Sequence, residues 1–139
     1  MKDLDPELRG EIDSTFREAK RLLREGQTEA AVSLAEAAWA KFPAPKFDWD
    51  VSKSYSHAMA LVYRDARRYS QALAIMVALF ASGTVLEHQD GPRFVLGTIY
   101  FEMGDLENAK HWLTEANRIS KGRCFRDEPE KYRLAIAKK

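Results

Sequence analysis

The stretch PRFVLGTIYFEMGDLENAKHWLTEA, residues 92–116, decides the fold. Its first half places Leu96, Gly97, Tyr100 and Phe101 on one helical face. Its second half repeats Leu106, Ala109, Leu113 and Ala116 at steps of three and four. Gly104-Asp105 divides the two runs. A glycine accepts the left-handed backbone that ends a helix, and an aspartate accepts a hydrogen bond from the first amides of the next. Gly97 and Ala109 are small enough to let the two helices approach closely. The expectation is a helical hairpin, with two looser copies of it upstream.

Asp5-Pro6-Glu7 opens the chain's first helix with a capping carboxylate, a proline in the first turn and an acid near the positive helix end. Ile12, Phe16, Ala19, Leu22 and Leu23 then form one stripe, which stops at Gly26. A second helix starts near Gln27-Thr28, turns Ala31, Leu34, Ala35, Ala38 and Trp39 inward, and ends at Phe42-Pro43. Two prolines make PAPKFDWD (43–50) a connector, with Phe47 and Trp49 expected to pack back on the domain. Asp48 is placed to cap a third helix over about 49–66, and a fourth spans about 69–82. The fourth is apolar nearly all round and is expected to be the most enclosed element. Beyond the 92–116 hairpin, Asp127 and Pro129 signal a last helix over about 127–138 that covers the end of the stack with Tyr132, Leu134 and Ala135. The hairpins are bounded at about 5–43, 49–82 and 91–120, within one domain covering residues 1–139.

With 45% hydrophobic and 31% charged residues, the composition is that of a globular domain with one core. A formal net charge of +1 supplies no global field for nucleic acid or membrane, and neither is expected as a partner. The single cysteine, Cys124, forms no internal disulfide, in keeping with a reducing compartment. The acidic, polar start has no signal-peptide core, and the longest apolar run, 72–81, is too short to span a bilayer. A cytoplasmic location follows as the expectation.

Enzymatic signatures are sparse. His57, His88 and His111 fall in different elements, and none stands at metal-ligand spacing from a carboxylate or cysteine. The sequence contains no glycine-rich phosphate loop and no nucleophile signature. Cys124 lies between Arg123 and Arg126, whose charges favour a thiolate, but an incidental cysteine in the turn before the last helix is the simpler reading. A non-catalytic protein without metal or cofactor is expected. Two charge runs stand out, an acidic start (Asp3, Asp5, Glu7, Glu11, Asp13) and a basic trio (Arg64, Arg67, Arg68).

Ala31, Ala72 and Ala109 follow the three turns, 41 and 37 residues apart. Two-helix repeats of about 34 residues with insertions between units have such a period. LGTIYFEMGDLENAKHWLTEA resembles a tetratricopeptide repeat, with a small residue after leucine, an aromatic, Gly-Asp and two alanines. The first unit resembles it through Ala19, Gly26, Ala31, Ala38 and Pro43. The middle unit keeps Ala60, Tyr63, Tyr69 and Ala72 but carries Arg67 in place of the turn glycine and lacks a closing proline. The resemblance covers most of 9–121 and implies an all-α fold, three hairpins in a right-handed solenoid plus a C-terminal capping helix.

Such repeats bind proteins on the concave face made by the first helix of each hairpin. The residues expected there are Phe16, Lys20, Leu23 and Arg24, then His57, Leu61 and Arg64, then Phe94, Thr98 and Phe101. The family's chaperone-binding carboxylate clamp is missing: Phe16, Lys20, Ala58, Gly91 and Val95 stand at its positions. GRCFRDEPEKYRLAIAK and the PAPKFDW connector resemble small stand-alone bacterial tetratricopeptide proteins found beside polymorphic toxins, although the aromatic and leucine that usually follow the tyrosine are absent. This implies an immunity protein whose partner is a toxin domain, occluded by the groove or by the 83–91 and 121–128 loops, with the basic trio or the acidic start steering association. The alternative is an adaptor or secretion chaperone that holds a peptide in the groove.

Overall fold

Three helix pairs are joined by three turns with the same hydrogen bonding. In the computed structural model, which describes residues 2–137, α1 (Pro6–Arg24) leads to α2 (Thr28–Lys41), α3 (Ser52–Asp65) to α4 (Tyr69–Ala81), and α5 (Asp90–Met103) to α6 (Leu106–Ser120). Gln27, Arg68 and Asp105 each donate their amide to the carbonyl five residues back, on Leu22, Tyr63 and Tyr100, at 2.9, 2.8 and 3.0 Å. Gly26, Arg67 and Gly104 donate to Leu23, Arg64 and Phe101, each at 3.0 Å. Paired bonds of this kind satisfy carbonyls that a helix end otherwise leaves open. They require a left-handed residue at the turn, and φ is 79° at Gly26, 64° at Arg67 and 85° at Gly104. The middle turn is therefore built like the others, on an arginine. Ala31, Ala72 and Ala109, five residues after the left-handed position, are all fully buried.

The chain divides between Thr84 and Val85 into two compact units. In the first, an aromatic path runs through its core. Trp39 meets Phe42 at 5.6 Å, Phe42 meets Tyr55 at 5.1 Å and Tyr55 meets Phe16 at 5.8 Å. Burying Phe42, 1% exposed, contributes about 2–3 kcal/mol by apolar transfer. Between α2 and α3 the connector closes on itself: Trp49 Nε1 donates to the Pro43 carbonyl at 3.0 Å, and Phe47 and Trp49 are half-buried. Lys46 caps the end of α2, donating to the Trp39 and Phe42 carbonyls beneath the two aromatic rings. Burial lowers the pKa of this ammonium.

Asp48 does not cap the third helix. Its carbonyl accepts from Lys2 and the amide of Asp50 donates to the Lys2 carbonyl, forming an isolated parallel bridge at Trp49. α3 consequently starts at Ser52, whose buried hydroxyl donates to the Lys46 carbonyl at 2.6 Å and accepts the Trp49 amide at 3.1 Å. Nor is α4 the most enclosed helix. It buries Ala72, Met76 and Leu79 and leaves Val77 53% exposed, whereas α5 buries six consecutive residues, Phe94 to Ile99.

In the second unit α5 and α6 approach so closely that a Cβ on Gly97 would lie 2.8 Å from the Leu113 side chain. Asp105 caps α6 by accepting from the Asn108 amide. The chain then forms a 3-10 turn (Arg123–Phe125) and α7 (Glu130–Leu134). The final helix is thus far shorter than 127–138, of which residue 138 lies outside the described residues. Asp127, at φ 63°, does not start it. Tyr132 does cover the core as expected: its ring meets Phe94 at 5.9 Å and Phe101 at 5.4 Å, and its hydroxyl donates to Glu102 at 2.7 Å. Leu134, expected beside it, is 57% exposed. The described residues are all-helical apart from the Lys2–Trp49 bridge, and none of their helices is long and apolar enough to cross a membrane.

Candidate protein-binding face

The ten residues expected on a binding face separate into a surface group and a buried group. Phe16 is 5% exposed and belongs to the aromatic core with Tyr55. Phe94 is 7% exposed and packs on Phe125 and Tyr132, while Thr98 is fully buried and donates its hydroxyl to the Val95 carbonyl. Periodicity places these three on the correct stripe, but that stripe is where the helices meet their neighbours. Lys20 and Arg24 are exposed, and Leu23, His57, Leu61, Arg64 and Phe101 are half-buried.

The first unit brings seven of the ten, Phe16, Lys20, Leu23 and Arg24 from α1 and His57, Leu61 and Arg64 from α3, onto two helices that pack together. Between α1 and α3 lies an open cleft of about 220 Å³ lined by Asp13, Phe16, Arg17, Lys20, Ser54, Tyr55 and Ala58. Phe16 and Tyr55 form an apolar floor, while Arg17 and Lys20 are cations on its α1 side. The Tyr55 hydroxyl reaches the Arg9 carbonyl at 3.3 Å; its pKa is raised by burial and by the neighbouring Asp13 carboxylate.

Partnering sets three of the α1 cations apart from the rest. Arg21 is gripped by Glu18 and Glu25, Arg9 meets Asp50, Lys41 meets Glu11 and Arg68 holds Glu29 through two contacts of 2.6 and 2.7 Å. Among the described residues no ion pair holds Arg17, Lys20 or Arg24. His57 is half-buried near this stripe; burial first, then the charges of Lys20 and Arg64, lowers its pKa. The basic trio is less available than the sequence implies: Arg64 retains 11% side-chain exposure and contacts Asp65, and Arg68 is committed to Glu29. The acidic start is partly structural, since Asp5 caps α1 and Glu11 pairs with Lys41.

Asp13, Arg17, Ser54, Tyr55 and Ala58 are cleft residues that sequence reasoning did not select. A signal was present for their neighbours: neither Lys20 nor Arg24 has a carboxylate three or four residues away, unlike Arg21. Cys124 is half-buried and burial raises its thiol pKa, against the effect anticipated from the flanking arginines. Its amide donates to the Ser120 hydroxyl at 3.0 Å. Among the described residues no three histidine, cysteine or carboxylate side chains are grouped to hold a metal ion. Comparison with protein-family models, with curated proteins and with solved structures returned no match.

Proposed function

We propose that the chain is a non-catalytic protein-binding module of the tetratricopeptide-repeat kind, acting as an immunity protein that neutralises a cognate toxin in the cytoplasm. The observation that carries the binding reading is the α1–α3 face. It places an apolar floor and three unpaired cations beside one another on packed helices. Aromatic side chains next to arginines are what interface hot spots favour. The repeat reading is supported by the turn hydrogen bonding, which recurs at Gly26, Arg67 and Gly104, and it carries with it the right-handed stacking of the hairpins. The toxin as partner is supported by the resemblance of the connector and C-terminal segments alone.

Neutralisation on this reading is steric: the partner's active site is covered when it docks on the α1–α3 face, and no residue of this chain performs a covalent step. A stable stoichiometric complex captured from the native host is the expected result, with a toxin domain as the second component. Return of no stoichiometric partner overturns the reading. Cys124→Ser and His57→Ala variants should retain neutralisation, and its loss in either would favour a chemical role. The peptide-holding alternative, an adaptor or secretion chaperone, draws support from the size of the cleft: 220 Å³ suits one or two side chains of a bound segment.

A further inference from the structure

We infer that the occupant of the α1–α3 cleft is an acidic segment of the protein partner, its carboxylates meeting Arg17, Lys20 and Arg24 while an apolar side chain rests on Phe16 and Tyr55. The inference rests on the protein-binding reading above and names the chemistry of what is bound. Arg17, Lys20 and Arg24 fall at steps of three and four along α1, so they form one row. Their exposure and lack of ion-pair partners leave that row positive, even though the chain as a whole carries only +1. Asp13 is the sole carboxylate lining the cleft, and the Tyr55 hydroxyl lies beside it. A cationic rim over an aromatic floor selects a segment with the opposite charge and an apolar anchor, and a basic segment is repelled.

His57 adds a signature that bare charge attraction lacks. The charges that act on it are Lys20 from α1 and Arg64 on its own helix; the other ionisable groups on this part of the two helices are Asp13, Arg17 and Arg24 of α1 and Lys53, Tyr55 and Asp65 of α3. From α2 come Glu29 and Glu36, already engaged by Arg68 and Tyr63; α4 offers only Tyr69 as an ionisable group. In the free protein burial disfavours the imidazolium first, and the charges of Lys20 and Arg64 add to it. A carboxylate arriving beside Lys20 offsets the charge part of that effect, so the complex binds a proton more readily than the free chain. Affinity therefore rises as pH falls from about 8 to about 6, a range where histidine is the side chain of ordinary pKa that titrates.

The test uses the whole chain and a fluorescein-labelled peptide of glutamate pairs separated by single leucines, read by fluorescence anisotropy. The leucine-bearing acidic peptide is expected to bind, weakening as salt is raised. An Arg17→Ala, Lys20→Ala, Arg24→Ala variant should bind about tenfold more weakly, as removal of three exposed charge pairs implies. His57→Gln should flatten the pH dependence of binding. No binding of the acidic peptide overturns the inference, as does equal binding of its lysine counterpart or of the triple variant, or an affinity that does not rise toward pH 6. If the triple variant binds the acidic peptide as tightly as the original chain and still captures the stoichiometric partner, the protein-binding reading stands and this inference alone falls.

Discussion

Arg67 holds a left-handed backbone at φ 64°, where the equivalent turns use Gly26 and Gly104. A Cβ in that region costs about 1–2 kcal/mol, and glycine in turn costs some unfolded-state entropy. Arg67→Gly is expected to raise stability by about 0.5 kcal/mol in urea unfolding, whereas Gly104→Ala should lower it by about 1 kcal/mol. Opposite signs at equivalent positions check the shared geometry, and a loss in both would contradict it. At Gly97 the constraint is space, since an added Cβ meets Leu113 Cγ and Cδ2 at 2.8 Å and its backbone nitrogen at 3.1 Å. Gly97→Ala should lower stability by about 1–3 kcal/mol through overpacking. The glycines at 97 and 104 were legible in the sequence as packing and turn residues. The left-handed state of Arg67 was visible only as a missing glycine, because what imposes it is the pair of hydrogen bonds on either side.

Among the elements, all six hairpin helices were readable from three-to-four spacing, and their observed ends fall within a few residues of those expected. The failures have physical causes. A helix apolar on every side has no polar face to orient it, so periodicity does not tell which side of α4 is covered; the structure covers Ala72, Met76 and Leu79 and leaves Val77 in solvent. Met76→Ala should therefore cost about 2–5 kcal/mol, while Val77→Lys, one residue on, should change stability by less than about 0.5 kcal/mol in thermal or urea unfolding. A large loss from Val77→Lys would show that this face is covered. The start of α3 differs from the expected one where the backbone of residues 48 and 50 pairs with Lys2, a non-local bridge that no local capping rule reveals. Similarly, the candidate face was legible in its stripe but not in its depth: Phe16, Phe94 and Thr98 share the spacing of exposed neighbours and are buried by what packs on them.

At the scale of the whole molecule, the chain contains two compact units, and the cationic cleft belongs wholly to the first. Its near-neutral net charge conceals this, since most other cations of the helices are consumed by ion pairs within a few ångströms while those along the cleft are not. The proposed recognition therefore rests on local charge and shape on α1 and α3. The most direct measurement is amide hydrogen exchange of the chain alone and in complex with the partner captured from its host. Slowed exchange concentrated in residues 13–24 and 54–64 is the predicted result. Slowing confined to the 83–91 and 121–128 loops, with α1 and α3 unchanged, would contradict it.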